Sequence, residues 1–317
     1  MSRVHFSTVV SQDHFFKYLA MVSSLRANYK DFKVFTLCVN EIVWHILNKI
    51  NIEEIVPIML KDVESDMLVR AKNERPFQAF CWTLKPVFLH YVMEKYPDCK
   101  YFAHLDADLF FYSSPDNIFL ENPSASLFLT HHRNSRDFLK YYASTGVFNT
   151  GFVGCRNDVN AKDAVAKWRT QCILYCPIKE DKTRKIFGDQ RYVESWPEEF
   201  RGVHVVRSKG ANAALWNIQN YTISEKEGKI FVDDYPLTFY HFSGLTIISR
   251  NEFNLNWYYH IDDKLVLDYI YTPYINTIMN VMNEMNHYFP WFIAGFLPRE
   301  YTPDTHYYMA TQKNMID

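Results

Sequence analysis

Along the first sixty residues, short apolar runs alternate with longer segments in which apolar residues recur at helical spacing. Short apolar runs at residues 4–10, 33–39 and 54–58 predict strands that are buried on both faces. Between them, residues 13–25 and 41–49 carry apolar side chains at helical spacing. Strands and helices in alternation predict βαβ units and a mainly parallel sheet.

The pattern continues less evenly towards the C-terminus. Residues 61–75 are charged and predict a loop or an excursion, and residues 77–96 predict a helix broken or kinked at Pro86. Later segments predict a helix at 158–176 and strands near 101–106, 109–112, 126–130, 147–154, 203–206, 230–232 and 237–242. We expect one α/β catalytic domain over residues 1–250 and a C-terminal appendage over residues 251–317.

The appendage has its own apolar pattern. Residues 269–296 are rich in aromatic residues, Ile and Met and carry almost no charge. Helical spacing joins Ile275, Ile278, Met279, Met282 and Met285. We expect this helix to pack on the catalytic domain. The alternative is a lid or peripheral contact with a membrane, in which Pro290 to Ile293 lie at the bilayer interface, although clustered Lys and Arg are lacking.

Composition narrows the class of protein. The 317 residues are 48% hydrophobic and 17% aromatic, which excludes a disordered chain, and a net charge of -2 gives no footprint for nucleic acid. Glycine-rich dinucleotide and Walker motifs are absent from the sequence. The six cysteines have no C-x-x-C spacing, and no signal-peptide or membrane-span pattern is found. We therefore expect free thiols and a cytoplasmic protein.

Two acids stand between apolar runs. Asp106 ends one predicted strand and Asp108 precedes another, so strand alternation places both carboxylates on one side with Ala107 pointing away. In apolar surroundings, two carboxylates need a neutralising partner, and oxygen ligands suit Mg²⁺ or Mn²⁺. The alternative is a strand end with two solvated acids.

Three later passages place polar residues within apolar sequence. These are Asn149 before a glycine, the pair Asp189 and Gln190, and His241 three residues before Gly244. An imidazole is a good ligand for Mn²⁺ beside two carboxylates, and a glycine lets the backbone approach a phosphate. Each passage also has a structural interpretation, since Asp189 could cap a helix, Asn149 could be a turn amide and His241 could be a satisfied core residue.

In their order along the chain, the motifs DADLF, FNTG, GDQ and HFSG resemble those of nucleotide-sugar glycosyltransferases with the GT-A fold. The closest resemblance is to the glycogenin and lipopolysaccharide-galactosyltransferase type, over residues 4–250. It implies a Rossmann-like, mainly parallel sheet flanked by helices. It also implies metal-dependent transfer, with retention, from a nucleotide-diphosphate sugar of the UDP type to a glycan, lipid-linked or protein acceptor.

The resemblance also implies roles for individual residues. Asp106, Asp108 and His241 would hold Mn²⁺ or Mg²⁺ against the donor diphosphate. Asp189 would grip a hydroxyl group of the transferred sugar, and Gln190 would lie near its anomeric carbon.

Further residues would bind the donor and the acceptor. Ser11 and His14 follow the first strand, where the family places an aromatic residue over the base, which His14 or Phe15 would match. Asn149 and Gly244 would line the sugar and the phosphates. The family's lysine after H-F-x-G is missing, and Lys72, with Arg75, Lys85 and Lys209 as alternatives, is our candidate to replace it. On the acceptor side, Trp216 and Asn217 resemble the family's pair of an aromatic residue and an asparagine.

Two other functions fit part of the pattern. A phosphatase of the haloacid-dehalogenase type would use Asp106 as its nucleophile, but that motif normally continues with Thr or Val. A protein that binds nucleotide-sugars without turnover would keep the same motifs.

Overall fold

The computed structural model describes residues 4–311, which separate into two compact units. Within the described residues, the first unit comprises 4–11, 30–106 and 115–208, and the second comprises 12–29, 107–114 and 209–311. Each unit is therefore built from segments that are not consecutive in sequence. The boundary at residue 250 between catalytic domain and appendage stays a prediction.

The strands are short, and most have three to seven residues. In chain order they are β1 (Val4–Val10), β2 (Val34–Cys38), β3 (Ile55–Met59), β4 (Tyr101–Leu105), β5 (Leu109–Phe111), β6 (Leu127–His131), β7 (Phe148–Arg156), β8 (Val203–Val205), β9 (Ala211–Ala214), β10 (Ile223–Lys226), β11 (Lys229–Val232), β12 (Tyr235–Pro236), β13 (Phe239–His241), β14 (Thr246–Ile247), β15 (Glu252–Asn254) and β16 (Tyr307–Met309).

The helices vary more in length than the strands do. In chain order they are α1 (Phe15–Asn28), α2 (Glu41–Ile50), α3 (Asp66–Glu74), α4 (Phe77–Lys95), α5 (Asp116–Leu120), α6 (Tyr142–Thr145), α7 (Val159–Leu174), α8 (Trp196–Glu199), α9 (Lys264–Val266) and α10 (Thr272–Tyr288).

A seven-stranded sheet organises the first unit. Its strand order is β3-β2-β1-β4-β7-β6-β8, and β7 runs antiparallel to β4 and β6 while the other neighbours are parallel. Strands β2 and β4 are buried at every residue, as expected for parallel strands with helices on their faces. Helices α4 and α7 pack against each other around Phe88 and Trp168, both fully buried. The predicted mainly parallel sheet flanked by helices is confirmed.

The second unit is built around a three-stranded sheet of order β5-β13-β9. Helix α1 lies beside β5, where the Ser24 hydroxyl accepts a hydrogen bond from the Phe111 N–H at 3.0 Å. Helix α10 packs against α1. The residues predicted to form its apolar face are all buried, namely Ile275, Ile278, Met279, Met282 and Met285. The predicted C-terminal helix is thus confirmed as a core element of this unit.

Two local predictions are wrong. Residues 61–75 are not a loop, because α3 begins after Ser65, whose hydroxyl accepts a hydrogen bond from the Leu68 N–H. Only Leu68 and Ala71 of α3 are buried, so its apolar stripe is too narrow to predict from sequence. Helix α4 is not broken at Pro86, since it continues from Phe77 to Lys95 with buried residues on both sides of the proline.

The described part of the chain has no helix whose length and apolar content would let it cross a bilayer. The six cysteines are free thiols, as predicted. In the C-terminal segment, Phe292 is buried while Trp291 and Ile293 are 58% and 60% exposed. Peripheral membrane contact and the cytoplasmic location stay predictions.

Candidate functional site

Asp106 lies at the end of β4, in the first unit. Its N–H donates to the Gly151 carbonyl at 2.8 Å, which continues the pairing of β4 with β7. The Lys85 ammonium contacts both carboxylate oxygens, at 2.7 and 2.9 Å, and His104 Nε2 lies at 3.2 Å. Burial lowers the pKa of His104, and the opposing effect of Asp106 is smaller, so that imidazole is neutral at pH 7. Lys85 is therefore the counter-charge of Asp106.

The same lysine faces a second carboxylate. Asp189 Oδ2 lies 3.8 Å from Lys85 Nζ and accepts a hydrogen bond from the Thr150 hydroxyl at 2.7 Å. Burial raises the pKa of Asp189, while Lys85 and Thr150 act in the opposite direction. The Asp189 side chain makes no capping hydrogen bond to the helical turn that follows, so the helix-cap interpretation is not supported.

A shift in strand register directs Thr150 towards Asp189. Leu129 of β6 pairs with Val153 of β7, but Thr130 pairs with Asn149, so three residues of β7 bulge between these two pairs. Bulges of this kind re-aim side chains beside functional sites. Asn149 stabilises the bulge, because its Oδ1 accepts a hydrogen bond from the Gly151 N–H at 3.0 Å. The turn-amide interpretation of Asn149 thus describes its contacts, and its role towards a donor stays a prediction.

Gly188, which precedes Asp189, has a backbone conformation and a close neighbour that both favour glycine. This glycine has φ +55°, and a Cβ there would lie 2.9 Å from Cε3 of Trp82. A side chain at this position would therefore collide with the indole ring. The side chain of Gln190, which follows Asp189, is held by a hydrogen bond from its Nε2 to the Thr145 carbonyl at 2.7 Å.

Asp108 and His241 meet within the second unit. Strands β5 and β13 are antiparallel, with Leu109 opposite His241, and the Phe242 N–H donates to the Asp108 carbonyl at 2.9 Å. This register brings His241 Nε2 to 3.1 Å from Asp108 Oδ1. The imidazole is 4% exposed, and the Trp216 ring packs edge-on against it at 5.2 Å.

A lysine that we did not predict lies beside Asp108. Lys17 is buried in α1 and donates a hydrogen bond to the Leu245 carbonyl at 2.6 Å. Burial by itself would raise the pKa of Asp108, but His241, Lys17 and His14 hold that pKa well below its usual range. Asp108 is therefore ionised at neutral pH. The sequence signal for Lys17 was its position as the single charged residue among the buried residues that open α1.

The two acids and the imidazole form a set of metal-type ligands. One oxygen of Asp106, one oxygen of Asp108 and one ring nitrogen of His241 all lie within 4.8 Å of one another. A single residue separates the two acids, so the chain itself fixes their spacing. Two carboxylates and an imidazole suit Mn²⁺ and are compatible with Mg²⁺, so the residues fit a divalent cation.

The other predicted residues have defined surroundings but untested roles. Gly244 has φ +82°, and a Cβ there would lie 3.2 Å from the Leu215 side chain, so this position favours glycine. Asn217 holds the turn after β9, since its Oδ1 accepts from the Ala214 N–H at 2.9 Å. Ser11 is buried at the end of β1, and His14 is exposed.

The basic residues considered as the phosphate ligand differ in their partners. Lys72 pairs with Glu64 at 3.1 Å and lines a small cavity beside the ends of β2 and β3. Arg75 donates to the carbonyl groups that end α7, and Lys209 pairs with Asp233 at 2.7 Å. Of these candidates, Lys85 contacts the predicted site acids.

Two curated relatives align over nearly the whole chain, whereas no family model matches it. The uncharacterized protein YfnD of Bacillus subtilis (strain 168) is 50% identical over 307 residues, which are 97% of this chain and 99% of YfnD. The uncharacterized protein YfnF of the same organism is 29% identical over 304 residues, 93% of this chain and 98% of YfnF.

Two solved structures share the fold. An active-site mutant of LgtC superposes with a TM-score of 0.51 at 11% identity, covering 76% of this chain and 88% of LgtC. The bifunctional glycosyltransferase WbbM gives a TM-score of 0.51 at 10% identity and covers 90% of this chain and 51% of its own. The expected GT-A fold is confirmed by these similarities.

Proposed function

Since this chain belongs to the same family as YfnD of Bacillus subtilis and has the GT-A fold, we propose that it is a metal-dependent glycosyltransferase. The donor is a nucleotide-diphosphate sugar of the UDP type, and the acceptor is a glycan, a lipid-linked saccharide or a protein. Transfer proceeds with retention of the anomeric configuration, as the family resemblance implies. The observation that carries the proposal is the set of ligand atoms from Asp106, Asp108 and His241.

The chemistry divides between charge stabilisation and positioning. A divalent cation held by Asp106, Asp108 and His241 would act as a Lewis acid that stabilises the negative charge on the departing nucleoside diphosphate. Lys85 orients the Asp106 carboxylate through contacts with both of its oxygens. Lys85 and His241 are buried, and Asp106 and Asp108 are partly buried, so the charged groups are already held in place and little reorganisation is needed during the reaction.

The sugar is positioned by Asp189 in this proposal. Thr150 and Lys85 fix its carboxylate, which is 4% exposed and therefore offers a strong acceptor for a sugar hydroxyl in a poorly solvated place. Gln190, the next residue, lies near the anomeric carbon of the transferred sugar. Trp216 and Asn217 lie on the acceptor side, and Ser11, His14, Asn149, Gly244 and Lys72 contribute to donor binding.

The phosphatase alternative gains no support from the fold. WbbM, which shares this fold, is a bifunctional glycosyltransferase. Only a measurement of turnover distinguishes a non-catalytic binding protein from an enzyme, because binding and transfer use the same residues.

A thermal-shift measurement tests the donor site. We expect UDP with Mn²⁺ to raise the Tm of the protein, whereas UDP alone or Mn²⁺ alone should raise it far less. A ligand at a hundred times its Kd stabilises by about 2.7 kcal/mol, which corresponds to a rise of roughly 4 °C in a protein of this size. Asp108→Asn should abolish the shift, and Asp262→Asn, at a side chain that is 91% exposed, should retain it.

Turnover is then measured as metal-dependent release of UDP from UDP-sugars, with and without carbohydrate acceptors. Release that stops in Asp108→Asn would support the proposal. Hydrolysis of phosphate monoesters with no stabilisation by any nucleoside diphosphate would overturn it in favour of a phosphatase. UDP binding without release across donors and acceptors would instead identify a binding protein.

A further inference from the structure

Lys17 is a buried lysine in the first turn of the largely apolar helix α1. Its side chain is 9% exposed, and its neighbours in α1 are Phe15, Phe16, Tyr18 and Leu19, all buried. The ammonium donates to the Leu245 carbonyl at 2.6 Å and interacts electrostatically with Asp108. Burying an ammonium group is costly, and one carbonyl satisfies only one of its three donors. Such a residue calls for a functional account.

A site for a metal ion alone would gain nothing from this lysine. An ammonium beside a metal ligand repels the incoming cation, because both charges are positive. The same ammonium becomes favourable when the cation arrives with a polyanion whose charge exceeds that of the metal. A nucleoside diphosphate bound to one divalent cation remains anionic, so it is a ligand of this kind.

The surroundings of Lys17 favour a phosphate over other anions. Its hydrogen-bond acceptor, Leu245, directly follows Gly244, which is one of the proposed donor-binding residues. Residues 245–249 supply no Lys or Arg, so the motif that carries His241 brings no positive charge of its own. The nearby Tyr274 hydroxyl is buried and makes no hydrogen bond within the described chain.

We propose that Lys17 is the cation that binds the diphosphate group of the donor, and that α1 supplies the charge that the His241 motif lacks. This assignment rests on the proposed function. It replaces Lys72 as the candidate phosphate ligand, because Lys72 is exposed and paired with Glu64.

The test compares UDP, UMP and uridine, each with Mn²⁺, by calorimetry on the wild type and on Lys17→Met. A charge-assisted hydrogen bond supports a loss of roughly tenfold or more in UDP affinity. Uridine affinity should stay unchanged, and Mn²⁺ alone should bind as well as or better than before, since a repelling charge has gone. Lys229→Met, at an exposed lysine of β11, is the matched control and should leave all four affinities unchanged.

Lys17→Gln guards against a folding defect, because it removes the charge and keeps a donor for the Leu245 carbonyl. It should show the same selective loss of UDP affinity. Unchanged UDP affinity, or equal losses for UDP and uridine, in a folded variant would overturn the role of Lys17 while leaving the glycosyltransferase proposal intact. Absence of metal-dependent UDP binding by the wild type would overturn both.

Discussion

Each of the two acids at the candidate metal site has a lysine of its own. Lys85 contacts Asp106 in the first unit, and Lys17 acts on Asp108 in the second. Burial by itself would raise the pKa of Asp108, but His241, Lys17 and His14 hold that pKa low, so this carboxylate is ionised at neutral pH before a cation binds. The arrangement also means that a lone divalent cation meets residual positive charge. We therefore expect metal and diphosphate to bind cooperatively rather than independently.

Asp189 gives a prediction about the pH dependence of stability. Burial holds its pKa above the ordinary value near 4, so on raising the pH the unfolded chain loses this proton first. The free energy of unfolding of the wild type should therefore fall, relative to Asp189→Asn, between pH 4 and the raised pKa of the folded state. Above that pKa the difference should stay constant. Urea denaturation of both proteins from pH 4 to 8, without metal, measures it.

The exposed carboxyl of Asp262 provides the control for this measurement, because Asp262→Asn should follow the wild type at every pH. A wild type that gains stability over Asp189→Asn as the pH rises would show that Lys85 and Thr150 outweigh burial.

Residue-scale chemistry was partly predictable from sequence. Asp106, Asp108 and His241 were found because polar residues in apolar sequence are conspicuous, and the structure brings their ligand atoms together. Lys17 was not found, because its carbonyl partner Leu245 lies 228 residues away in the sequence. Lys85 was considered as a phosphate ligand, yet it contacts Asp106 and Asp189, and no local pattern predicts contacts between residues so far apart in the sequence.

At the scale of single elements, the side chain of Arg75 caps the C-terminus of α7. Arg75 donates to the carbonyl groups of Cys172 and Ile173 at the C-terminus of α7, and also to the Thr83 hydroxyl on α4. It therefore satisfies carbonyl groups that a helix leaves unpaired and joins α7 to α4. This explains why Arg75 is committed to structure rather than to a phosphate.

Arg75→Met should consequently lower the free energy of unfolding by about 2–3 kcal/mol, the range for hydrogen bonds made by a charged group. Arg70→Met is the matched control on the exposed face of α3, where the ion pair with Glu74 is solvated, and should change stability by less than about 0.5 kcal/mol. Equal effects of the two substitutions in urea denaturation would contradict the capping role.

Elements were predicted best where the apolar residues form an unbroken run or recur at helical spacing. The strands β1 to β4 and the helices α1, α2 and α7 follow the hydrophobic pattern to within a few residues. Helix α3 was missed because two buried positions give no usable periodicity, and the continuity of α4 through Pro86 follows from tertiary packing. Local sequence contains neither piece of information.

At the scale of the whole molecule, the second unit draws on three separate stretches of the chain. The C-terminal segment reaches α1 through Phe292, whose ring packs edge-on against Phe15 at 5.3 Å and against Phe16 at 5.5 Å. Helix α1 also carries Lys17, so residues near 292 support the helix that presents the proposed phosphate ligand.

Phe292→Ala should therefore destabilise the protein by about 3–5 kcal/mol, as expected for removing a buried aromatic ring. Trp291→Ala is the neighbouring control and should cost little, because that side chain is 58% exposed. Both effects are measured by urea denaturation. A Trp291 variant as unstable as the Phe292 variant would contradict the packing described here.

The pairing of β13 with β5 has a consequence for how the protein is made. The imidazole of His241 is synthesised about 130 residues after Asp108, and until then β5 has no strand to pair with. A nascent chain that has emerged only as far as β12 thus has both acids, an open strand edge and no complete set of metal ligands. The ability to capture a cation is therefore acquired late in translation, so cation binding reports that the polypeptide is nearly complete.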